Sequence, residues 1–574
     1  MSSQPVLSLR EIATITQQYQ LLHEIILPQQ AQWTTDIQQV PHINITHITY
    51  DTRDTHEATL LFIKGNFNPR YLQDLDTHGL VAYVAQQDYS EYINVPGIIV
   101  DDVYAAMARI SAEFYGHPEQ ELTILGITGT KGKTTTAFLT FALLQQCTDY
   151  RVGLLSSESL CVDGTTMLPS HLTTPESLDS LRMMREARNH GITHLVMEIS
   201  SQAYKIGRVI GIHFASAAFL NISPDHISPI EHPTFENYLY CKRQIIRNTD
   251  QLIVNADCDY LRLLTEDALQ ATVPVTFCQM LTQEQRGDAS LGEIVKRDIA
   301  GNSAVEVRNI VQTVIDADHV HFSTHAYELE YGGQVTTRTN TVLSQHSHLA
   351  LLGEFNIANA TVALALIHSV GFTIDHNVVD HVLSTTRVPG RMERIVGKHH
   401  VDCIIDYAHN YLSVSALIHE VQQEYSNPYI IVVTGSTGGK ALDRRQGIIE
   451  ACQEGARAVV LTTDDSNFDD PQAIAQEMQS YITDHALYST IIVDRAAALA
   501  FAVEQAYALR EGTSVFPALD EQQGSDLSQE QPIVILAVGK GDEDHQVIQG
   551  RSVPYIGDRA AIDCAYQQQH GDEK

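Results

Sequence analysis

The run with the most chemical potential is Gly126-Ile127-Thr128-Gly129-Thr130-Lys131-Gly132-Lys133-Thr134. It follows the short apolar stretch ELTILGIT and opens KTTTAFLTFALLQQC, which reads as an amphipathic helix. A glycine-rich turn between a strand and a helix lets backbone N–H groups point inward around phosphates. Lys133 would then neutralise the β/γ charge of a nucleoside triphosphate, and the Thr134 hydroxyl would bind Mg2+. Gly129, Thr130, Lys131, Gly132 and Thr135 complete the expected phosphate contacts. The strict pattern wants glycine six positions before Lys133, where this chain has Ile127, so the loop is a variant. Alone it points to a nucleotide binder and leaves a GTPase switch, a helicase motor and a ligase open.

Two further residues suit a metal. Glu198 ends THLVMEIS, and His226 follows ASAAFLNISPD. Both lie just past the carboxyl ends of candidate strands, where ligands bind in open α/β sheets. With Thr134 they would complete Mg2+ sites. Taken singly, such a glutamate is often a solvated cap and such a histidine often structural. Lys242, in YLYCKRQII, reads by itself as a lysine snorkelling to the surface.

The elements that must carry these groups alternate strand and helix. From Leu122 onward, short apolar runs (ELTILGIT, THLVMEIS, ASAAFLNIS, QLIVNAD) are separated by helical stretches, the pattern of a parallel sheet covered on both faces. Residues 265–345 are more polar, with AVEVRNI and TRTNTVL as candidate strands. A second alternation starts near Val401 with VDCIID, YIIVVTG, ARAVVLTT, STIIVD and PIVILAVG. Its helices start at Asp470-Pro471, an N-cap followed by proline at the first helical position, and at Asp494. Ahead of both lie short strands, a DTRDT turn and a helix ending at Gly116-His117-Pro118, read as a linker. The expected fold is therefore α/β, with two parallel-sheet α/β domains behind a smaller N-terminal domain that ends near residue 120. The polar, acidic segment 511–531 reads as a solvated loop.

Composition narrows the class. With 574 residues, 44% of them hydrophobic, several cores can form. The net charge of −34 repels phosphate backbones and anionic membranes, which argues against a nucleic-acid partner. No run approaches the ~20 apolar residues of a membrane span. The N-terminal stretch has no basic region followed by an apolar core, so no secretory signal is expected. The eight cysteines are scattered without a C-x-x-C pair and read as reduced thiols of a cytoplasmic protein.

Nine stretches occur in an order that resembles the bacterial Mur ligase family: GITGTKGKTTT, LTTPES, MEISSQAYKIGRV, NISPDH, YCKRQI, GEFNIAN, VPGRMERI, IDYAHN and AVGKGDED. The likeness spans Thr49 to Arg559 and is strongest to the branch that adds the third amino acid of the peptidoglycan stem to UDP-N-acetylmuramoyl-L-alanyl-D-glutamate. The resemblance implies three domains: an N-terminal uridine-nucleotide domain over 1–120, a central ATP-binding P-loop domain with a parallel sheet over 121–386, and a C-terminal Rossmann-like amino-acid-binding domain over 387–574. It also implies that ATP phosphorylates the substrate's terminal carboxylate, that an incoming amine attacks the acyl phosphate, and that phosphate leaves. Charge screening by Mg2+ and cationic side chains fits that chemistry.

Carried onto this chain, the resemblance gives Lys133 and Thr134 to the phosphates and Mg2+, and Glu198 and His226 to the metals. Lys242 matches a lysine that takes up CO2 as a carbamate (N6-carboxylysine) and so becomes a metal ligand. Asn356 would contact adenine, and Arg391 and Asp406 the nucleotide from across the domain cleft. Thr52 in the Asp51-Thr52-Arg53 turn would serve the uridine side. Thr173, Thr174, Ser200 and Arg208 would grip the muramoyl-dipeptide. The chain departs from the family at Lys131, usually Asn, and at Asn410-Tyr411-Leu412, usually T-P-D. The segment between His226 and Lys242 is also longer than in many members.

The third amino acid is read from Thr463 to Pro471. Members that add meso-diaminopimelate carry D-N-P-R there, and Asn467 stands where the arginine would be. Without a guanidinium a distal carboxylate has no bidentate partner. Asp464, Asp465, Asp469 and Asp470 crowd the region with negative charge, which suits a distal ammonium, so L-lysine is the expected substrate; Asp470 reads better as a helix cap. Gly539 and Glu543, in GKGDED, would meet the amino acid. The chain is expected to act as a monomer. Ornithine or diaminopimelate as the added residue, a folylpolyglutamate-synthetase-like ligase, and a nucleotide-binding paralogue without chemistry are the alternatives.

Overall fold

A computed structural model describes residues 6–170, 172–225, 227–228, 231–282, 307–316, 320–331, 335–439, 442–517 and 531–570. The chain forms two compact units, Met1–His348 with Ile357–Leu383, and Leu349–Asn356 with Ser384–Lys574.

The first unit holds two large sheets. The N-terminal one has six strands in the spatial order Gln32–Thr34, Leu22–Leu27, Gly97–Val100, Leu80–Ala85, Thr59–Ile63 and His47–Thr49. Helix Val103–Phe114 starts where the Asp102 side chain accepts from the Tyr104 and Ala105 N–H groups. Gly116-His117-Pro118 is not a loose tether. The His117 ring lies 3.0 Å from Glu113 and 2.9 Å from Glu119, and Arg185 donates to the Gly116 carbonyl at 2.8 Å.

Among the described residues the larger sheet has eleven strands. Its parallel heart runs Val152–Leu155, His194–Glu198, Thr123–Thr128, Ser216–Phe219, Leu252–Asn255, Val275–Thr282 and Val307–Ile315. Strand Thr123–Thr128, which feeds the glycine-rich loop, is thus flanked by the strands that end at Glu198 and Phe219. Phe322–Tyr331 and Val335–Ser347 extend the sheet antiparallel. The following helix Lys133–Thr148, expected to be amphipathic, is buried along most of its length, including Thr134, Thr135, Thr136 and Thr140. Its threonines reach the core because their hydroxyls find acceptors, as Thr140 does on the Thr136 carbonyl at 2.7 Å.

The second unit is a six-stranded sheet in the order Glu393–Ile395, Val401–Asp406, Ile533–Val538, Tyr429–Thr434, Ala458–Leu461 and Tyr488–Ile491, parallel except at its first strand. Successive side chains point to opposite faces. Ile430, Val432, Val534 and Leu536 enter one apolar layer, while Tyr429, Ile431, Val433, Ile533 and Ile535 enter the other. Both faces are covered, so these strands read as unbroken apolar runs. Asp470 and Asp494 cap their helices as expected, accepting from Gln472 and Ala497. The acidic segment 511–531 lies largely outside the described residues.

Candidate active site

Sheet register brings the first set of groups together. Glu198 pairs with Ile127, and Phe219 with Thr128, so the loop and both flanking strand ends open on the same edge. Gly132 has φ +84°, and a Cβ there would lie 2.4 Å from Asn359 Oδ1. Only glycine fits that backbone without strain. Lys133 Nζ donates to the carbonyls of Gly129 at 3.0 Å and Thr130 at 3.3 Å.

Lys242 is no snorkelling side chain. It is 2% exposed, donates to the Gly129 carbonyl at 2.7 Å, and lies 5.0 Å from the centre of the Tyr238 ring. Burial first, then the positive charge of Lys133, push its pKa well below the usual lysine range, against the pull of Asp225 and Glu198. Glu198 is fully buried, and its carboxylate accepts from the Ser157 N–H at 3.0 Å, with the Ser157 hydroxyl 3.2 Å away.

The neighbouring loops form one polar mesh. Ser157 Oγ lies 3.0 Å from Thr173 Oγ1. Thr174 Oγ1 donates to the Glu198 carbonyl at 2.9 Å and accepts from the Ser200 N–H at 2.9 Å. Ser200 caps helix Ser201–Lys205. Arg208 donates to the Thr174 carbonyl at 3.1 Å and to Glu176 Oε1 at 2.8 Å, while Lys64 approaches Glu176 Oε2 at 3.4 Å. Thr173, Thr174, Ser200, Arg208 and Glu198 are therefore contiguous. Thr52 sits in a 3-10 turn of the N-terminal sheet, where Asp51 holds Arg53 at 2.6 Å.

His226 lies outside the described residues. The segment around it shows groups that motif reading missed. Asn221 accepts from the Lys131 N–H at 2.8 Å and donates to its carbonyl at 3.1 Å. Thr130 Oγ1 accepts from the Ser223 N–H and lies 3.0 Å from the Tyr238 hydroxyl. Lys131 approaches Asp225 at 3.8 Å. The buried His232 ring bridges Ser201 Oγ at 2.9 Å and Asn237 Oδ1 at 2.8 Å. Tyr238 was discoverable, since it stands four residues before Lys242 on one helix face.

In the second unit Asp406 ends strand Val401–Asp406, and Gly539 follows the adjacent strand Ile533–Val538. Asp406 accepts from the Met392 N–H at 2.9 Å and the Ala408 N–H at 2.8 Å. The Arg391 guanidinium lies 4.6 Å from the centre of the Tyr407 ring. Asn356 is buried and donates to the Leu352 carbonyl at 2.6 Å. A Cβ on Gly539 would come within 2.9 Å of Asp464 Oδ2. The crowd of acids is compensated, which the sequence argument did not foresee. Lys540, fully buried, pairs with Asp465 at 2.9 Å and with Glu543, and Arg445 pairs with Asp469 at 3.2 Å. Burial raises the Asp464 carboxyl, opposed by Lys540 and Arg495. Asn467 has φ +50°, and its amide donates to the Gly438 carbonyl at 3.0 Å and the Asp465 carbonyl at 3.2 Å.

Residues 127–367 match the Mur ligase middle domain, and residues 390–516 match the Mur ligase glutamate ligase domain. The chain is 41% identical over 566 residues to a UDP-N-acetylmuramyl-tripeptide synthetase of Bifidobacterium longum, covering 97% of this chain and 99% of the relative. It is 37% identical over 559 residues to a UDP-N-acetylmuramoyl-L-alanyl-D-glutamate--L-lysine ligase of Enterococcus faecalis, covering 97% and 98%. Among solved structures, MurF from Acinetobacter baumannii superposes with a TM-score of 0.56 at 15% identity, over 98% of this chain and 100% of that one.

Proposed function

The chain belongs to the Mur ligase family, and from that premise we propose that it is the ATP-dependent ligase that adds the third amino acid, L-lysine, to UDP-N-acetylmuramoyl-L-alanyl-D-glutamate. The likeness to a tripeptide synthetase and a lysine ligase carries this reading, because it covers 97% of the chain rather than the nucleotide loop alone. ATP is the co-substrate. The reading places the enzyme in the cytoplasm as a monomer; among the described residues no helix is long and apolar enough to cross a membrane.

The residues present fit Mg2+. The buried carboxylate of Glu198 and the hydroxyl of Thr134 are hard oxygen donors at adjoining strand and helix ends. When bound, Mg2+ would screen the substrate carboxylate from the triphosphate it attacks. Thr134, Glu198, His226 and Lys242 are its assigned ligands. Lys242 joins them as a carbamate: burial and Lys133 favour its neutral amine, which adds to CO2 with loss of one proton. Gly129, Thr130, Lys131, Gly132, Lys133, Thr134 and Thr135 hold the phosphates, and Asn356, Arg391 and Asp406 the rest of the nucleotide. Thr52 serves the uridine end. Thr173, Thr174, Ser200 and Arg208 orient the dipeptide so that its terminal carboxylate attacks the γ-phosphorus and ADP leaves; the incoming amine then attacks the acyl phosphate, loses a proton and displaces phosphate. Asp464, Asp465, Asn467, Gly539 and Glu543 hold the incoming lysine. The domain limits at 120 and 386 belong to the same proposal.

The test is phosphate release from ATP in the presence of the UDP-muramoyl-dipeptide, run with L-lysine, ornithine, diaminopimelate and aspartate. Release that depends on lysine supports the assignment. Release with a different amino acid alone reassigns the third residue, and no dipeptide-dependent release with any of the four overturns the reading.

A further inference from the structure

The N-terminal sheet carries a cluster to which the proposed ligase reaction assigns no role. His47 starts strand His47–Thr49, Asp54 ends the 3-10 turn Thr52–Asp54, and His56 follows it. Among the described residues this is the one place where three His, Cys, Asp or Glu ligand atoms all lie within 4.8 Å of one another. His47 Nε2 is 3.1 Å from Asp54 Oδ2, and His56 Nε2 is 3.0 Å from Asp54 Oδ1. The two rings lie 4.9 Å apart, tilted by 55°. Each imidazole therefore brings Nε2 to a different oxygen of one carboxylate, and His47 Nε2 also lies 3.0 Å from the Asp54 carbonyl oxygen. Ligand atoms ~2.0–2.1 Å from a common tetrahedral Zn2+ would lie a little over 3 Å from each other, close to these spacings.

The backbone is fixed before any ligand arrives. His47 pairs in register with Thr59 on the adjacent strand. The Thr59 hydroxyl accepts from the His56 N–H at 2.9 Å and donates to the His56 carbonyl at 2.7 Å. Gly79, at φ +97°, lets the chain pass there, since a Cβ would fall 2.4 Å from the His56 carbonyl oxygen. Arg53, the nearest cation in sequence, is held by Asp51 instead of Asp54.

We propose that His47, Asp54 and His56 form a binding site for a late first-row divalent cation of the Zn2+ and Ni2+ class. Two imidazoles and a carboxylate select such ions over Mg2+ and Ca2+, which prefer all-oxygen sets. The site is separate from the Mg2+ ligands assigned above, and its half-exposed position leaves room for water to complete the coordination. Binding ties the start of strand His47–Thr49 to the turn that follows it and so stiffens the Asp51-Thr52-Arg53 turn.

The experiment is calorimetric titration of the full chain with ZnCl2 in excess Mg2+, which holds the oxygen-donor sites. Wild type is compared with His47→Ala/His56→Ala and with the milder His56→Gln. The expected result is one Zn2+ equivalent more in wild type than in the double variant, weakened binding in His56→Gln, and a Zn2+-dependent rise in Tm that the double variant lacks. Equal Zn2+ uptake by wild type and the double variant, or a wild-type equivalent that Mg2+ displaces, overturns the proposal. Matching Tm values of the three proteins without metal confirm that the variants are folded.

Discussion

Lys133 and Lys242 donate to the same carbonyl oxygen, that of Gly129, from 3.0 and 2.7 Å. Two ammonium groups on one acceptor repel each other, and burial adds to the cost for Lys242. The arrangement makes chemical sense when one lysine binds phosphate and the other gives up its charge. Lys242→Ala should abolish turnover and leave the fold intact, because the deleted group is one that burial disfavours. A short carboxylate or high bicarbonate in the buffer should restore part of the activity by filling the vacated place. Full activity of the alanine variant would remove Lys242 from the mechanism.

Gly132 supports a second prediction. Alanine there must adopt φ near +84° and meet Asn359 Oδ1. The left-handed backbone alone costs roughly 1–2 kcal/mol for a residue with a Cβ. Gly132→Ala should therefore raise the KM for ATP and lower Tm. Adding Asn359→Ala removes the clash but keeps the backbone cost, so the double variant should recover only part of the loss. Complete recovery would show that the clash alone mattered, and no recovery would show that Asn359 is irrelevant to the loop.

Much of this was legible in the sequence. The strands beside the loop are unbroken apolar runs, and the glycine-rich turn between strand and helix, the strand-end place of Glu198 and the Asp470 and Asp494 caps announce themselves by residue type and spacing. What escaped were partners set by tertiary approach. Lys242 reads as a surface lysine because nothing local shows that its helix turns it onto Gly129. Lys540 lies next to the acids it neutralises only after strands Ala458–Leu461 and Ile533–Val538 share one sheet. Helix Lys133–Thr148 misleads because its threonines satisfy their hydroxyls internally and so enter the core.

Lys540 also gives a stability prediction with a defined sign. Burial would lower its pKa, but Asp464, Glu543 and Asp465 outweigh that and hold it above 10.5. A raised lysine pKa stabilises the fold fully below the unfolded value and loses that contribution as pH climbs through the folded value. Removing one partner of a buried pair costs about 3–5 kcal/mol. Lys540→Met should thus be destabilised by about 3 kcal/mol in denaturant unfolding near neutral pH. The gap to wild type should narrow as pH rises above 10.5. A gap that stays constant across that window would assign the loss to packing instead of charge.

If Asp465 and Glu543 hold the third amino acid as proposed, selectivity turns on which charges are already satisfied. The tail of L-lysine carries an ammonium, whereas diaminopimelate carries an extra carboxylate. In the second unit Arg445 is held by Glu477 and Asp469, and Lys540 is fully buried between Asp465 and Glu543. A distal carboxylate would have to take one of these cations from its partners, while Asp465 and Glu543 keep partly exposed oxygens for an ammonium. A charge-assisted contact is worth about 1.5–3 kcal/mol, so lysine should be preferred by about a hundredfold in kcat/KM. Asn467→Arg should not reverse this. Asn tolerates φ +50°, and its amide ties the loop to Gly438 and Asp465. Arginine there would lose those bonds, so lysine turnover should fall while diaminopimelate gains little. The decisive measurement is kcat/KM for both amino acids on wild type and Asn467→Arg. Wild-type use of diaminopimelate equal to or above that of lysine would overturn the lysine assignment. Efficient diaminopimelate turnover by the variant would show that the loop, and not the compensated acids, sets the choice.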